Sequence, residues 1–276
     1  GWLMGLSAEQ MTWALGNAGT MSAGLWEFNA DGAMSKHLHA GRAAQSGVLA
    51  ADLARRGFTG ARRILEGERG FFAAMSKDAR PERVMDGLSS TMSAWKISGV
   101  SIKPHASCRH THPVIDAALQ IVGAGLPRPY DISSIEIETY QAALDLCDNA
   151  SPTTPYQAKF SLQYCAATAL LRGHAGLLYF TPDAIQDARI AALMGKTRVT
   201  LNAEFEGMYP RAWPASVRVA LNDGRVLEQT VTSPKGDPEN ALSWDELEAK
   251  FRTMLAGTPR EGAADAWIEW TQKLDA

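Results

Sequence analysis

Helical periodicity and strand alternation are segregated along this chain, and no other feature constrains its fold as tightly. Residues 7–28 place Met11, Leu15, Ala18 and Ser22 at helical spacing behind a Ser7/Gln10 capping box. Gly16, Gly19 and Gly24 each cost about 1 kcal/mol of helix propensity relative to alanine, which suits a face that another helix approaches closely. Asn29-Ala30-Asp31-Gly32 carries a turn signal, and a second, alanine-rich helix is predicted from Ser35 to Arg56, stopped by Gly57. Phe58-Thr59-Gly60 leads into a short helical turn, and Glu66 through Phe71 reads as loop.

The texture changes after about Trp95. Residues 132–140 alternate from Ile135 onward like a half-exposed strand, and 197–205, 215–221 and 225–232 follow similar patterns. The last two flank Asn222-Asp223-Gly224, a strong hairpin turn. Helices are predicted at 113–123, 158–171 and 183–194. Beyond the linker from Ser233 to Pro238, helix returns at 243–256, behind a Ser243/Glu246 capping box, and at 261–274. The expected class is α+β: a helical bundle domain over 1–95 and a smaller α+β lid over 96–235. C-terminal helices over 236–276 are expected to return to the helical domain.

A chain of 276 residues has room for two such domains, and 46% hydrophobic with 21% charged residues can fill their cores. The net charge of −3, without a basic block, argues against a nucleic-acid or membrane surface, and no apolar run is long enough to span a bilayer. Important cations should therefore act locally, on a small anionic ligand. Cys108, Cys147 and Cys165 are too scattered for a disulfide framework, a CxxC metal site or an iron–sulfur cluster. They fit a reducing compartment, and a cytoplasmic location is expected. The abrupt, apolar start Gly1-Trp2-Leu3-Met4-Gly5-Leu6 has no initiator methionine or signal pattern, so sequence upstream is expected.

Three segments hold most of the reactive groups. Lys36, His39 and Arg42 lie three apart and would share one helix face, either as a carboxylate-binding stripe or as a solvated helix start. His37 and His39, at i and i+2, do not face each other on a helix and are not expected to hold a metal. Between Lys103 and His112, five groups able to carry positive charge precede a predicted helix start at Pro113: Lys103, His105, Arg109, His110 and His112. Free N–H groups at such a start favour anions, and histidine moves protons near neutral pH. A metal at His110/His112 lacks a third ligand, and Cys108 lacks the base and orienter that covalent catalysis needs. The third segment, Ala158 through Tyr164, could line a pocket with its polar members or pack as plain helix. His174 is expected to be structural, and no glycine-rich phosphate cradle follows a strand.

These segments together resemble the MmgE/PrpD family. The matching stretches are KHLHAGRAAQSG (36–47), GFTGARRILEGERGF (57–71), KPHASCRHTHPVID (103–116), AKFSLQY (158–164) and KGDP (235–238), in family order along nearly the whole chain. Each is modest alone; jointly they are specific. The resemblance implies the C-terminal portion of an enzyme with a helical domain and a smaller α+β lid. It implies a homodimer acting on small di- or tricarboxylates without cofactor, metal or iron–sulfur cluster. Carried over by position, Lys36 and His112 match family active-site positions, whereas Lys103 and Arg109 lie in the same motif as substrate-binding candidates, with His39 on the stripe.

The implied chemistry is elimination of water from a hydroxy-tricarboxylate such as 2-methylcitrate, with His112 moving the proton and Lys36 and Arg109 clamping carboxylates. Decarboxylation of cis-aconitate and epimerisation of an aspartate-like diacid need much the same equipment. Lys36 and His112 are expected to converge on one cleft. A reading from another class, a non-catalytic dimerising module, stays open because the family's further N-terminal helical region is not found in these residues.

Overall fold

The computed structural model describes residues 1–86, 96–126 and 131–274, so the texture change near Trp95 lies outside the described residues. The chain forms two compact units, residues 1–94 and 95–276. The architecture is α+β, with all described strands in one small sheet of the second unit.

The first unit contains α1 (Ala8–Thr20), α2 (Phe28–Asp31), α3 (Lys36–Arg55) and α4 (Phe71–Met75), with α1 packed along α3. Both halves of the expected capping box open α1: Ser7 Oγ accepts from Gln10 N at 3.2 Å, and Ser7 N donates to Gln10 Oε1 at 3.0 Å. This helix stops at Thr20, well short of the predicted Phe28, and Gly24 at φ 130° takes the chain out of helical space. The glycine face of α1 does admit a close neighbour, but an irregular segment and not a helix. A Cβ on Gly16 would sit 2.4 Å from Ala61 N, and one on Gly19 would sit 2.2 Å from Ile64 Cγ1. The turn predicted at Asn29–Gly32 forms as the single helical turn α2, closed by Gly32. Helix α3 matches its predicted span within a residue at either end.

In the second unit, α5 (His112–Gly123) leads to β1 (Ile132–Thr139), and α6 (Gln141–Cys147), α7 (Pro155–Ala158), α8 (Leu162–Arg172) and α9 (Ala188–Met194) follow. Then come β2 (Thr197–Leu201), α10 (Ala203–Met208), β3 (Ala215–Leu221) and β4 (Val226–Val231), with α11 (Trp244–Leu255) and α12 (Ala264–Gln272) last. The sheet order is β2-β1-β3-β4, parallel between β1 and β2 and antiparallel elsewhere. Ile135 and Ile137 are fully buried while Glu136 and Glu138 are exposed, as period-two alternation requires. A register shift between Ile132 and Ser134 explains why the alternation begins only at Ile135.

Helix α5 is buried along most of its length through Val114, Ile115, Ala117, Ala118 and Ile121, and packs on β3, β4 and α8. At roughly 25 cal/mol per Å2 of apolar surface, each large aliphatic side chain buried here contributes about 1.5–3 kcal/mol. Its first residue, His112, is thereby fixed in the best-packed part of the fold. Three predicted elements are shorter than expected for polar reasons, with β2 ending early and α8 and α9 starting late. Asn202 caps α10 and ends β2 at Leu201, Ser161 caps α8 and separates it from α7, and Asp187 caps α9. The Ser243/Glu246 capping box of α11 is formed in both directions. Helices α11 and α12 pack together through Phe251 and Trp267, with Arg252 bound to Asp265 at 2.7 Å.

Candidate active site

The segment 103–112 is pinned from three sides before α5 begins. Ile102 N donates to Gly236 O at 2.8 Å, Ala106 N to Ala175 O at 3.3 Å, and Cys108 N to Lys159 O at 2.8 Å. Thus KGDP and AKFSLQY, far apart in sequence, both brace the basic segment. Gly236 must be glycine: it holds φ 90°, and a Cβ there would lie 1.8 Å from Ile102 O. Ser107 Oγ and Thr111 Oγ1 bond each other at 2.7 Å, and Thr111 Oγ1 donates to Cys108 O at 2.8 Å, closing the turn into α5.

His112 is fully buried, and its Nδ1 lies 2.9 Å from Arg109 Nη1. A guanidinium only donates, so Nδ1 must accept and the ring proton belongs on Nε2. Among the described residues Nε2 has no hydrogen-bond partner. The Ser107 carbonyl, itself engaged by Lys103 Nζ at 3.2 Å, favours a ring proton. Burial, reinforced by the neighbouring charges of His105, Arg109 and Lys103, pulls the His112 pKa down to about 2. The ring is therefore neutral throughout the physiological range.

Arg109 is itself heavily engaged. Nη1 also donates to Lys235 O at 3.1 Å, Nη2 donates to Pro234 O at 3.4 Å, and Nη2 forms a buried ion pair with Asp237. Asp116, one turn along α5 from His112, accepts at both oxygens: Oδ1 pairs with His105 Nε2 at 2.7 Å, and Oδ2 accepts from Lys235 N at 2.6 Å. The His105 ring lies 5.0 Å from that of His112, centroid to centroid. Asp116, Asp237 and His105 were not among the expected site residues. For the two aspartates the only sequence signals were the HPVID and KGDP matches, since their pairing is tertiary, whereas His105 stood out only as one of the five cationic groups of the 103–112 segment.

The remaining candidates turn elsewhere. His110 is buried, bonds the Tyr140 hydroxyl through Nδ1 at 2.7 Å and lies 4.6 Å from the Trp213 ring. Burial and then the Lys103 charge lower its pKa to about 4. Ser161 Oγ donates to Asn149 O at 2.6 Å, and Gln163 Nε2 donates to Asp148 at 2.6 Å, so both are tied into the scaffold. His174 is exposed and bonds the Tyr179 hydroxyl at 3.0 Å. Among the described residues, no three histidine, cysteine or acidic side chains gather in a way that could hold a metal ion.

In the first unit, Lys36 is the first residue of α3 and half-buried, with His39 one turn on, edge-on to Phe28 at 5.3 Å. His39 and Arg42 line a cavity of about 880 Å3 with Leu15, Leu25, Phe28 and Phe71. Arg42 Nη1 donates to Gln45 at 2.8 Å. Lys36 belongs to the first unit and His112 to the second.

A buried histidine at a helix start, braced by arginine and aspartate from a KGDP loop, is the arrangement in which the expected family motifs meet. The chain belongs to the MmgE/PrpD family: the MmgE/PrpD C-terminal domain matches residues 105–276 and the MmgE/PrpD N-terminal domain matches residues 1–84. The resemblance read from the sequence is thus extended, since the first unit matches the family's N-terminal domain.

Among its relatives, the cis-aconitate decarboxylase-like protein oryM of Aspergillus oryzae is 26% identical over 92% of this chain and 55% of its own length. Cis-aconitate decarboxylase of Homo sapiens is 27% identical over 87% of this chain and 50% of its own. The mitochondrial 2-methylcitrate dehydratase of Yarrowia lipolytica is 29% identical over 49% of this chain and 27% of its own. The chain spans about half the length of the cis-aconitate decarboxylases it matches. No helix among the described residues is long and apolar enough to cross a membrane.

Proposed function

We propose that this chain carries part of a lyase active site for a small tricarboxylate, in which His112 stabilises developing negative charge. The observation that carries this reading is the buried, neutral His112 ring beside Arg109, His105 and Lys103, whose Nε2 meets no hydrogen-bond partner among the described residues. In decarboxylation of a cis-aconitate-like substrate, the C–C bond to the departing carboxylate breaks and carbon dioxide leaves. The electron pair spreads onto a conjugated carboxylate, and carbon then takes up a proton supplied from solvent. A preplaced N–H donor in a dry site lowers the energy of that spread charge, and nearby cations help. A ring that titrates near 2 is a poor base at neutral pH, so His112 suits donation better than the proton removal assigned to it from sequence.

This ranks decarboxylation ahead of the water elimination expected from sequence. The support is that decarboxylase relatives extend along most of the chain while the dehydratase relative covers about half. Elimination from 2-methylcitrate stays the second reading because that relative carries its name. Lys36 is proposed to bind a substrate carboxylate and Lys103 to add positive charge; a homodimer and His39 as a further contact complete the proposal.

The test is turnover by the intact source protein, with carbon dioxide release from cis-aconitate and alkene formation from 2-methylcitrate followed in parallel. Carbon dioxide release that Lys36→Ala slows, mainly by raising KM, is the expected result. Absence of turnover on cis-aconitate, 2-methylcitrate and an epimerisable diacid would contradict the lyase reading.

A further inference from the structure

We propose that Arg109 is a positioning residue that fixes His112 as its Nε2–H tautomer, leaving Nε2 as the donor the reaction uses. This rests on the lyase reading for its purpose but not for its geometry. Four contacts orient the guanidinium: Asp237, the carbonyls of Pro234 and Lys235, and His112 Nδ1. Three of them come from the 234–237 loop, so the arginine acts as a rigid strut between that loop and the ring. With Nη1 at 2.9 Å from Nδ1, a proton on Nδ1 would set N–H against N–H; only the Nε2–H form converts the contact into a hydrogen bond.

The same network fixes the loop that supplies the strut. Gly236 packs against the Ile102 carbonyl, Lys235 N donates to Asp116, and Lys235 Nζ pairs with Glu246 at 3.0 Å. Asp116 also holds His105, whose ring flanks His112. The groups around the ring are thus Arg109, His105 and Lys103, with Asp116 and Asp237 each paired to one of them. Among the described residues no carboxylate accepts from His112 itself, as one would in a base–orienter pair. Arg109 gives the opposite polarity: it takes the lone pair at Nδ1 and presents a proton at Nε2. The carboxylate-clamping role expected for Arg109 from sequence is replaced in this proposal by an indirect one.

Ring-15N histidine labelling of the 276-residue chain, read by long-range nitrogen–proton correlation, tests the claim without turnover. His112 should show a protonated Nε2 and a bare Nδ1, unchanged over roughly pH 5 to 8. In Arg109→Met the assignment should change to a mixture or to Nδ1–H, and Arg109→Lys, still a pure donor, should restore part of it. In the active source protein, kcat of Arg109→Met should fall while KM moves little. The loss should lie between about tenfold and the roughly 10^4-fold known for a triad histidine in the wrong tautomer. A protonated Nδ1 in the unsubstituted chain overturns the proposal even if no variant folds, as does an unchanged tautomer in folded Arg109→Met. Correct tautomers in a protein without lyase activity would sink the functional reading and leave this one standing.

Discussion

Acidifying the folded chain from about pH 7 to about pH 5 should remove roughly 3–4 kcal/mol of its stability, through two histidines that refuse a proton. His112 and His110 have pKa values lowered from 6.5 to about 2 and about 4, each chiefly by burial. Below pH 6.5 the unfolded chain binds a proton at each ring and the native chain does not, so falling pH favours unfolding. Each ring costs up to about 1.4 kcal/mol per pH unit, close to 2 kcal/mol over this window. The loss continues for each ring until the pH reaches its folded pKa. Urea unfolding followed by tryptophan fluorescence at several pH values measures it. His110→Gln and His112→Asn should each flatten the pH dependence by about half. Equal unfolding free energies at the two pH values in the unsubstituted chain would refute the reasoning.

Two further substitutions probe the scaffold that presents the site. Ile137→Ala removes a fully buried side chain from the middle of β1 and should cost about 2–5 kcal/mol by urea denaturation, while a cost below about 1 kcal/mol would contradict the core described here. Gly236→Ala forces a Cβ into the Ile102 carbonyl at a left-handed φ; it should lower stability by at least about 1–3 kcal/mol and weaken the Arg109–Asp237 pairing, read as a changed His112 ring spectrum. A neutral Gly236→Ala variant would mean that the loop is not held as described.

What the sequence disclosed and what it hid follow from the range of the interactions. Alternation from Ile135, the Asn222-Asp223-Gly224 turn and the Ser7 and Ser243 capping boxes are set within a few residues, and each formed as expected. The early ends of β2 and the split of α7 from α8 depend on whether Asn202 and Ser161 cap a helix, a choice that local pattern leaves open. Helix α6 went unpredicted because Gln141–Cys147 is too short for periodicity to show. The glycines of α1 signalled close approach correctly, but not that the approaching chain is irregular.

At the site, the basic 103–112 segment stood out from its composition. That Arg109 turns inward to Asp237 and the His112 ring could not be seen, because the other contacts that orient it lie on a loop over a hundred residues away. The Asp116 bond to Lys235 N is hidden for the same reason, and its pairing with His105 depends on how the 103–111 segment turns into α5.

The most direct test of the account is the steady-state kinetics of His112→Asn in the intact source protein, on whichever tricarboxylate proves active. Asparagine keeps a small polar group near the Nδ1 position to meet Arg109 but deletes the Nε2 donor. If His112 stabilises charge that exists only in the transition state, kcat should fall about 100-fold or more with KM nearly unchanged. A variant with kcat within about twofold of the unsubstituted protein would contradict the role given to this ring.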